Sequence, residues 1–147
     1  MGGDPKVIEY NVRMGDPETE VVMPRLTSDL VDLLEGCAKG CLADIPAEQD
    51  PRFATTVIAV SGGYPGSYPK GKEITGDLNP NDSTVFHAGT ALDADGRLVT
   101  SGGRVLAVTS YGDSIASAVA KSYKSLENIH FDGMAYRHDI GQDLMKM

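Results

Sequence analysis

Glu9, Asn11 and Arg13 alternate with Ile8, Tyr10 and Val12 in the stretch Val7-Ile8-Glu9-Tyr10-Asn11-Val12-Arg13-Met14-Gly15-Asp16-Pro17-Glu18-Thr19. Successive side chains of a strand point to opposite faces. The spacing therefore predicts a strand with a carboxylate, an amide and a guanidinium on one face and Ile8, Tyr10 and Val12 on the other. The first face has the chemistry to meet a cation-bridged polyphosphate. Mg2+ favours hard oxygen donors, and Glu9 and Asn11 offer two, with phosphate oxygens left to complete the shell. Arg13 suits bidentate contact with a phosphate or a carboxylate. An exposed strand face that binds nothing carries the same residue types, and spacing alone does not separate the two readings.

The elements that must position this face begin with that strand, expected over residues 6–12. A short strand is not stable alone, so either later strands pair with it or its neighbours lie in a longer parent protein. Asp16-Pro17-Glu18-Thr19 reads as a helix start, with Asp16 as N-cap, Pro17 in the first helical position and Glu18 and Glu20 in the first turn. A second helix is expected over 28–42. Leu30, Val31, Leu33, Leu34, Cys37, Ala38, Cys41 and Leu42 form its apolar stripe. Residues 43–52, with Pro46 and Pro51, are the candidate domain boundary. Beyond them, strands are expected over 54–61, 84–90, 98–100 and 104–109, with a hairpin turn at Asp93-Ala94-Asp95-Gly96. A last helix is expected over 114–129, with Asp113 as N-cap and Ile115, Val119, Ser122, Leu126 and Ile129 on its buried side.

Other chemistry-bearing residues are weaker. Residues 66–72 have the spacing of a phosphate-binding glycine loop. However, Glu73 stands where Ser or Thr should hold magnesium, Pro69 removes a backbone donor and no helix is expected after it. The loop over 62–73 is either functional or a structural double turn. Ser101-Gly102-Gly103-Arg104 is either a glycine turn with a surface arginine or a backbone anion site that Arg104 completes. His87, His130 and His138 have no ligand spacing. Cys37 and Cys41, four apart in a helical pattern, read as small core residues and not as a disulfide or a metal site.

Composition excludes whole classes of function. The 147 residues carry a net charge of −8 with 41% hydrophobic residues, which gives enough apolar material for a core. The acidic balance argues against nucleic acid and against an anionic membrane surface as partners. No apolar run approaches the roughly 20 residues of a spanning helix, and the first six residues lack a signal-peptide core. The expectation is a cytoplasmic protein.

The motifs, taken together, resemble one family. Residues 7–20 with Pro24-Arg25-Leu26 and Ser28-Asp29-Leu30 are similar to glycinamide ribonucleotide synthetases, the phosphoribosylamine-glycine ligases of the ATP-grasp superfamily. The likeness continues through Ser61-Gly62-Gly63-Tyr64-Pro65-Gly66, Phe86-His87-Ala88-Gly89-Thr90, Gly102-Gly103-Arg104-Val105-Leu106 and Gly133-Met134-Ala135-Tyr136-Arg137. It covers residues from about 5 to 141.

This resemblance implies an α+β chain. Residues 1–50 would form the C-terminal end of an ATP-grasp domain, a strand plus helices ending in a linker helix. Residues 51–147 would form a small, mainly antiparallel sheet domain with a packed C-terminal helix, similar to the C-terminal domain of biotin carboxylase. The activity it implies is ATP-dependent joining of glycine to 5-phosphoribosylamine through a glycyl phosphate, with Mg2+ or Mn2+. Glu9 and Asn11 match the metal ligands, and Arg13 matches the arginine beside the reacting phosphoryl group. Gly15, Asp16, Pro17, Glu18 and Thr19 match the turn facing glycine and amine, and Gly103 and Arg104 stand where related ligases hold the ribose phosphate. Met14 and Glu20 depart from the common pattern. The partners implied are ATP, glycine, 5-phosphoribosylamine and the upstream domains of the parent chain. Two alternatives are a non-catalytic terminal module and an ATP-grasp ligase for a different acid or amine.

Overall fold

The computed structural model describes Gly3 and residues 6–146. Two short N-terminal helices come first, α1 (Thr19–Val22) and α2 (Leu30–Lys39). The strands β1 (Phe53–Ser61), β2 (Thr75–Gly76), β3 (Ser83–His87), β4 (Thr90–Leu92), β5 (Leu98–Thr100) and β6 (Arg104–Gly112) follow. Helix α3 (Ile115–Leu126) and the short strands β7 (Ile129–His130) and β8 (Met134–Ala135) complete the fold. The main sheet has the order β3-β6-β1-β8, and all its pairings are antiparallel. The pairs β2-β7 and β4-β5 form small separate ribbons. The result is an α+β architecture of small antiparallel sheets and few helices.

The central strand β6 is apolar on both faces, as a strand covered from both sides must be. On one face Leu106 and Val108, with Val57 and Ala59 of β1, join Leu126, Ile129 and Phe131 in a buried cluster. Helix α3 packs on this side through Ala118, Val119, Ser122, Ser125 and Leu126. Small hydroxyl residues let it approach closely and satisfy one another: Ser83 Oγ lies 2.6 Å from Ser110 Oγ and 2.7 Å from Ser125 Oγ. Ser122 Oγ lies 2.9 Å from Ser110 Oγ, which closes the row. Each buried hydroxyl thus keeps a partner, as burial demands.

The opposite face of β6 carries the N-terminal segment. Thr109 Oγ1 donates to the carbonyl of Glu20 at 2.7 Å, and Tyr111 Oη donates to that of Pro24 at 2.6 Å. Arg25 reaches the Asp50 carbonyl at 3.0 Å, while Asp50 and Arg52 form an ion pair at 2.6 Å. The Arg52 guanidinium covers the Tyr111 ring, 4.6 Å from its centroid.

Several expectations are corrected. No strand forms over 6–12. The segment is extended, with Ile8 97% and Val12 96% exposed, because no ladder partner for it exists among the described residues. Helix α1 starts at Thr19, so Glu18 is its N-cap, while Asp16 and Pro17 lie outside it. Helix α2 is capped by Asp29, whose carboxylate accepts from the Val31 amide, and ends at Gly40 in the left-handed conformation. Its apolar stripe faces outward: Leu30, Val31 and Leu34 are exposed, and so is Cys37. Cys41 is half-buried and lies beyond the helix end, so the cysteines are not core residues. Ser114, not Asp113, caps α3, and Ile129 belongs to β7. The strand expected over 84–90 is broken after His87 into β3 and β4. Strand β5 and the 93–96 hairpin turn fall where the sequence puts them.

Two outcomes follow from this packing. Leu106 is fully buried, so Leu106→Ala is expected to cost about 2 to 5 kcal/mol in urea unfolding; a loss under about 1 kcal/mol would contradict its place in the core. Donation from the Arg52 guanidinium, then from the Arg52 amide, holds the Asp50 carboxyl at about 2, against 3.8 ordinarily. A carboxyl lowered on folding stabilises fully above its unfolded value and loses that contribution as pH falls through its folded one. Asp50→Asn is therefore expected to flatten the acid limb of stability between about pH 4 and pH 2, measured by thermal unfolding across that range.

Candidate functional site

The β1-β6 ladder runs in register from Phe53↔Gly112 to Ala59↔Leu106, then shifts so that Val60 pairs with Arg104. Residues opposite one another in an antiparallel pair share a face. An unbroken register would set Arg104 opposite Ser61, on the α3 side. The bulge instead brings it beside Val60, on the face that carries the N-terminal segment. There Arg104 Nη2 lies 3.2 Å from Asp16 Oδ2, and Arg104 Nη1 donates to the Asp16 carbonyl at 3.2 Å.

This contact brings together two candidate segments 88 residues apart. Gly15 accepts from the Thr19 amide at 3.0 Å and from Thr19 Oγ1, and the Glu18 carboxylate folds back over Gly15, so residues 15–19 form a closed turn. Pro17 of that turn and Arg104 line one cavity of about 520 Å³. Thr56, Ile58 and Val60 of β1 form its floor, while Tyr64, Pro65, Tyr136, Arg137 and Ile140 form its walls. The mix is a mostly apolar cleft with a few polar groups, the ordinary character of a small-molecule site.

Gly103 is buried, and a Cβ placed on it would stand 2.1 Å from Cδ2 of Tyr64. The missing side chain is therefore what seats the Tyr64 ring against the strand. The amides of Ser101 and Gly102 donate to the Gly89 carbonyl, and the Ser61 amide and hydroxyl bond to the carbonyls of Gly103 and Gly102. Those groups are committed to the fold and not to an anion.

Glu9, Asn11 and Arg13 sit apart from this cluster. All three are exposed, and Arg13 Nη1 makes a 3.4 Å contact to the Met14 carbonyl. Glu9 and Asn11 make no side-chain hydrogen bond among the described residues, so their oxygens are open to a hard cation. Among the described residues no group of three His, Cys, Asp or Glu is placed to hold a metal. Tyr64, Tyr136 and Arg137 line the cavity although spacing alone singles out none of them; the first lies in the glycine-rich loop and the others in the 133–137 motif. That loop is pinned by backbone bonds to Thr100 and by a Lys72–Asp132 ion pair at 2.6 Å. No helix follows it, in keeping with the rejected phosphate-loop reading.

A family model described as phosphoribosylglycinamide synthetase, C domain, matches residues 54–143, more than half of the chain, with α3 and all of the main sheet but Phe53. The chain belongs to the phosphoribosylglycinamide synthetase family. It is 49% identical over 139 residues to the bifunctional purine biosynthetic protein purD of Dictyostelium discoideum, covering 92% of this chain and 17% of that protein. It is also 49% identical over 141 residues to the phosphoribosylamine–glycine ligase of Pseudomonas aeruginosa, covering 95% of this chain and 33% of the relative. The crystal structure of phosphoribosylamine–glycine ligase from Thermotoga maritima superposes with a TM-score of 0.78 at 42% identity, over 93% of this chain and 34% of that one. The chain thus spans about a third or less of the length of the relatives it matches. No helix among the described residues is long and apolar enough to cross a membrane.

In this cavity, Gly103→Ala is expected to push the Tyr64 ring off its seat. Thermal unfolding of Gly103→Ala, Tyr64→Ala and the double variant should reveal a coupling on the order of 1 kcal/mol; additive effects would contradict the contact.

Proposed function

We propose that this chain is the C-terminal part of an ATP-dependent phosphoribosylamine–glycine ligase acting in purine synthesis in the cytoplasm. Residues 1–50 end its ATP-grasp domain, and residues 51–147 form a terminal domain built like that of biotin carboxylase. The observation that carries the reading is family membership over the sheet and α3. The Asp16–Arg104 contact supports it, since it joins a turn and a guanidinium that the motifs assign to the same substrates.

In the proposed reaction a phosphoryl group passes from ATP to the glycine carboxylate, releasing ADP. The amine nitrogen of 5-phosphoribosylamine then attacks the acyl carbon, the carbon–nitrogen bond forms, and phosphate and a proton leave. Glu9 and Asn11, exposed hard oxygen donors, would hold Mg2+ or Mn2+, which would supply neutralisation of the phosphate charge that builds up in transfer. Arg13 contacts the transferring group, where a guanidinium matches its oxygens. The turn Gly15-Asp16-Pro17-Glu18-Thr19 orients glycine and amine, a contribution of proximity. Arg104 takes the ribose phosphate, and Gly103 serves by admitting the Tyr64 ring. The lobes that hold ATP belong to the remainder of the parent, which is this chain's partner.

Glu9→Gln and Asn11→Ala in the full-length parent test this reading. Each is expected to lower glycine-dependent ADP formation on the order of 100-fold, with the fold intact by circular dichroism. Unchanged turnover in both would favour a non-catalytic terminal module. The 147 residues alone are expected to form no ADP from ATP, glycine and 5-phosphoribosylamine.

A further inference from the structure

Among the described residues, Arg104 and Arg137 are the two cations on the wall of the 520 Å³ cavity, and no carboxylate lines it. Each guanidinium is paired from outside the wall, Arg104 with Asp16 at 3.2 Å and Arg137 with Asp139 at 2.8 Å. Exposed pairs of this kind are weak and readily exchanged. On its far side Arg137 borders a hollow shared with Asp139 and Asp143, whose carboxylates repel an anion. An anion that Arg137 attracts is therefore drawn to the Arg104 side.

The backbone that carries Arg137 is fixed although its side chain is exposed. Tyr123 Oη of α3 donates to the Arg137 carbonyl at 2.8 Å and accepts from the Ile140 amide at 3.2 Å. Tyr136, the residue before it, packs at a tilt against His138 at 4.7 Å and Tyr123 at 6.1 Å. A long side chain on a held backbone can swing from Asp139 toward the cavity without moving the loop. The remaining lining, Tyr64, Tyr136 and Pro17 of the walls with Val60 of the floor, offers flat and apolar surface to a compact body.

We propose that Arg137 is a second phosphate-binding residue. With Arg104 it grips the phosphate of a sugar phosphate whose ring lies between Tyr64 and Tyr136. The sugar part rests on the ligase reading, while the two-arginine grip rests on the cavity itself. Two guanidiniums match a phosphate dianion better than one, since each supplies paired donors in a fixed fork.

Isothermal titration of the 147-residue chain with ribose 5-phosphate, ribose and inorganic phosphate tests it. Saturable binding of ribose 5-phosphate is expected, with ribose much weaker. Arg137→Ala should weaken that binding at least about tenfold, and Arg137→Lys by less. Asp139→Asn, which breaks the same ion pair but keeps the guanidinium, should bind as tightly as the parent sequence or more so. No saturable binding, an unaffected Arg137→Ala, or an equal loss in Asp139→Asn would each overturn the grip. Inorganic phosphate binding as tightly as ribose 5-phosphate would overturn the sugar assignment. A parent enzyme without ligase turnover would remove the ligase reading and leave these titrations to stand or fall separately.

Discussion

The irregularity between Ala59 and Val60 governs where the chemistry of this sheet faces. A strand's side chains alternate strictly, so a residue's face is set by the parity of its register, and a one-residue shift reverses it. Arg104 starts β6, a nine-residue strand buried over most of its length, and regular pairing would aim it at the helix side, where a guanidinium would meet an apolar cluster. The shift delivers it to the other face, against the Gly15–Thr19 turn. Gly103, one residue earlier, then seats Tyr64, so one bulge establishes both the charged and the aromatic wall of the cavity.

The two faces of β6 differ in what covers them. Toward α3 the sheet is dry, with Leu106, Val108, Leu126 and Phe131 buried and the serine row satisfying itself. That side supplies the rigid support a site needs and exposes little to a ligand. Toward the N-terminal segment the contacts are fewer and polar, made by Thr109, Tyr111 and Arg104 to backbone and side-chain oxygens. Tyr123 bridges the two sides, since its ring belongs to α3 and its hydroxyl holds the chain carrying Arg137.

What could be read from the sequence followed how local its cause is. The hairpin turn at 93–96 and strand β5 were legible because turn chemistry and alternation act within a few residues. Helix α3 was legible to within a few residues for the same reason, and its cap moved by only one position. The strand expected over 6–12 has the right alternation, yet a strand exists only through its ladder, and alternation cannot supply the partner. The stripe of α2 is legible as apolar, but reading its cysteines as core fails, since periodicity names a face and not what covers it. Arg104 was found as a residue, but its link to Asp16 depends on a register shift that no spacing reveals. Arg137 and Tyr64 were passed over because only the fold of the sheet brings residues 64, 104 and 137 to one cavity.

Electrostatics constrain how such a cavity can work in an acidic chain. With a net charge of −8, the molecule's general field opposes an approaching anion, so attraction must come from closely held guanidiniums. Arg104 and Arg137 each carry a carboxylate partner, which keeps both side chains oriented and locally neutral before a ligand arrives. A phosphate bound as proposed would replace a carboxylate instead of filling an empty positive hole, and the gain would be the difference between two ion pairs. That difference favours the phosphate, which offers more acceptor oxygens and more charge to the same donors. Selectivity follows from the same exchange: a singly charged carboxylate gains little over the aspartates already there, whereas a phosphate dianion that reaches both arginines gains at each.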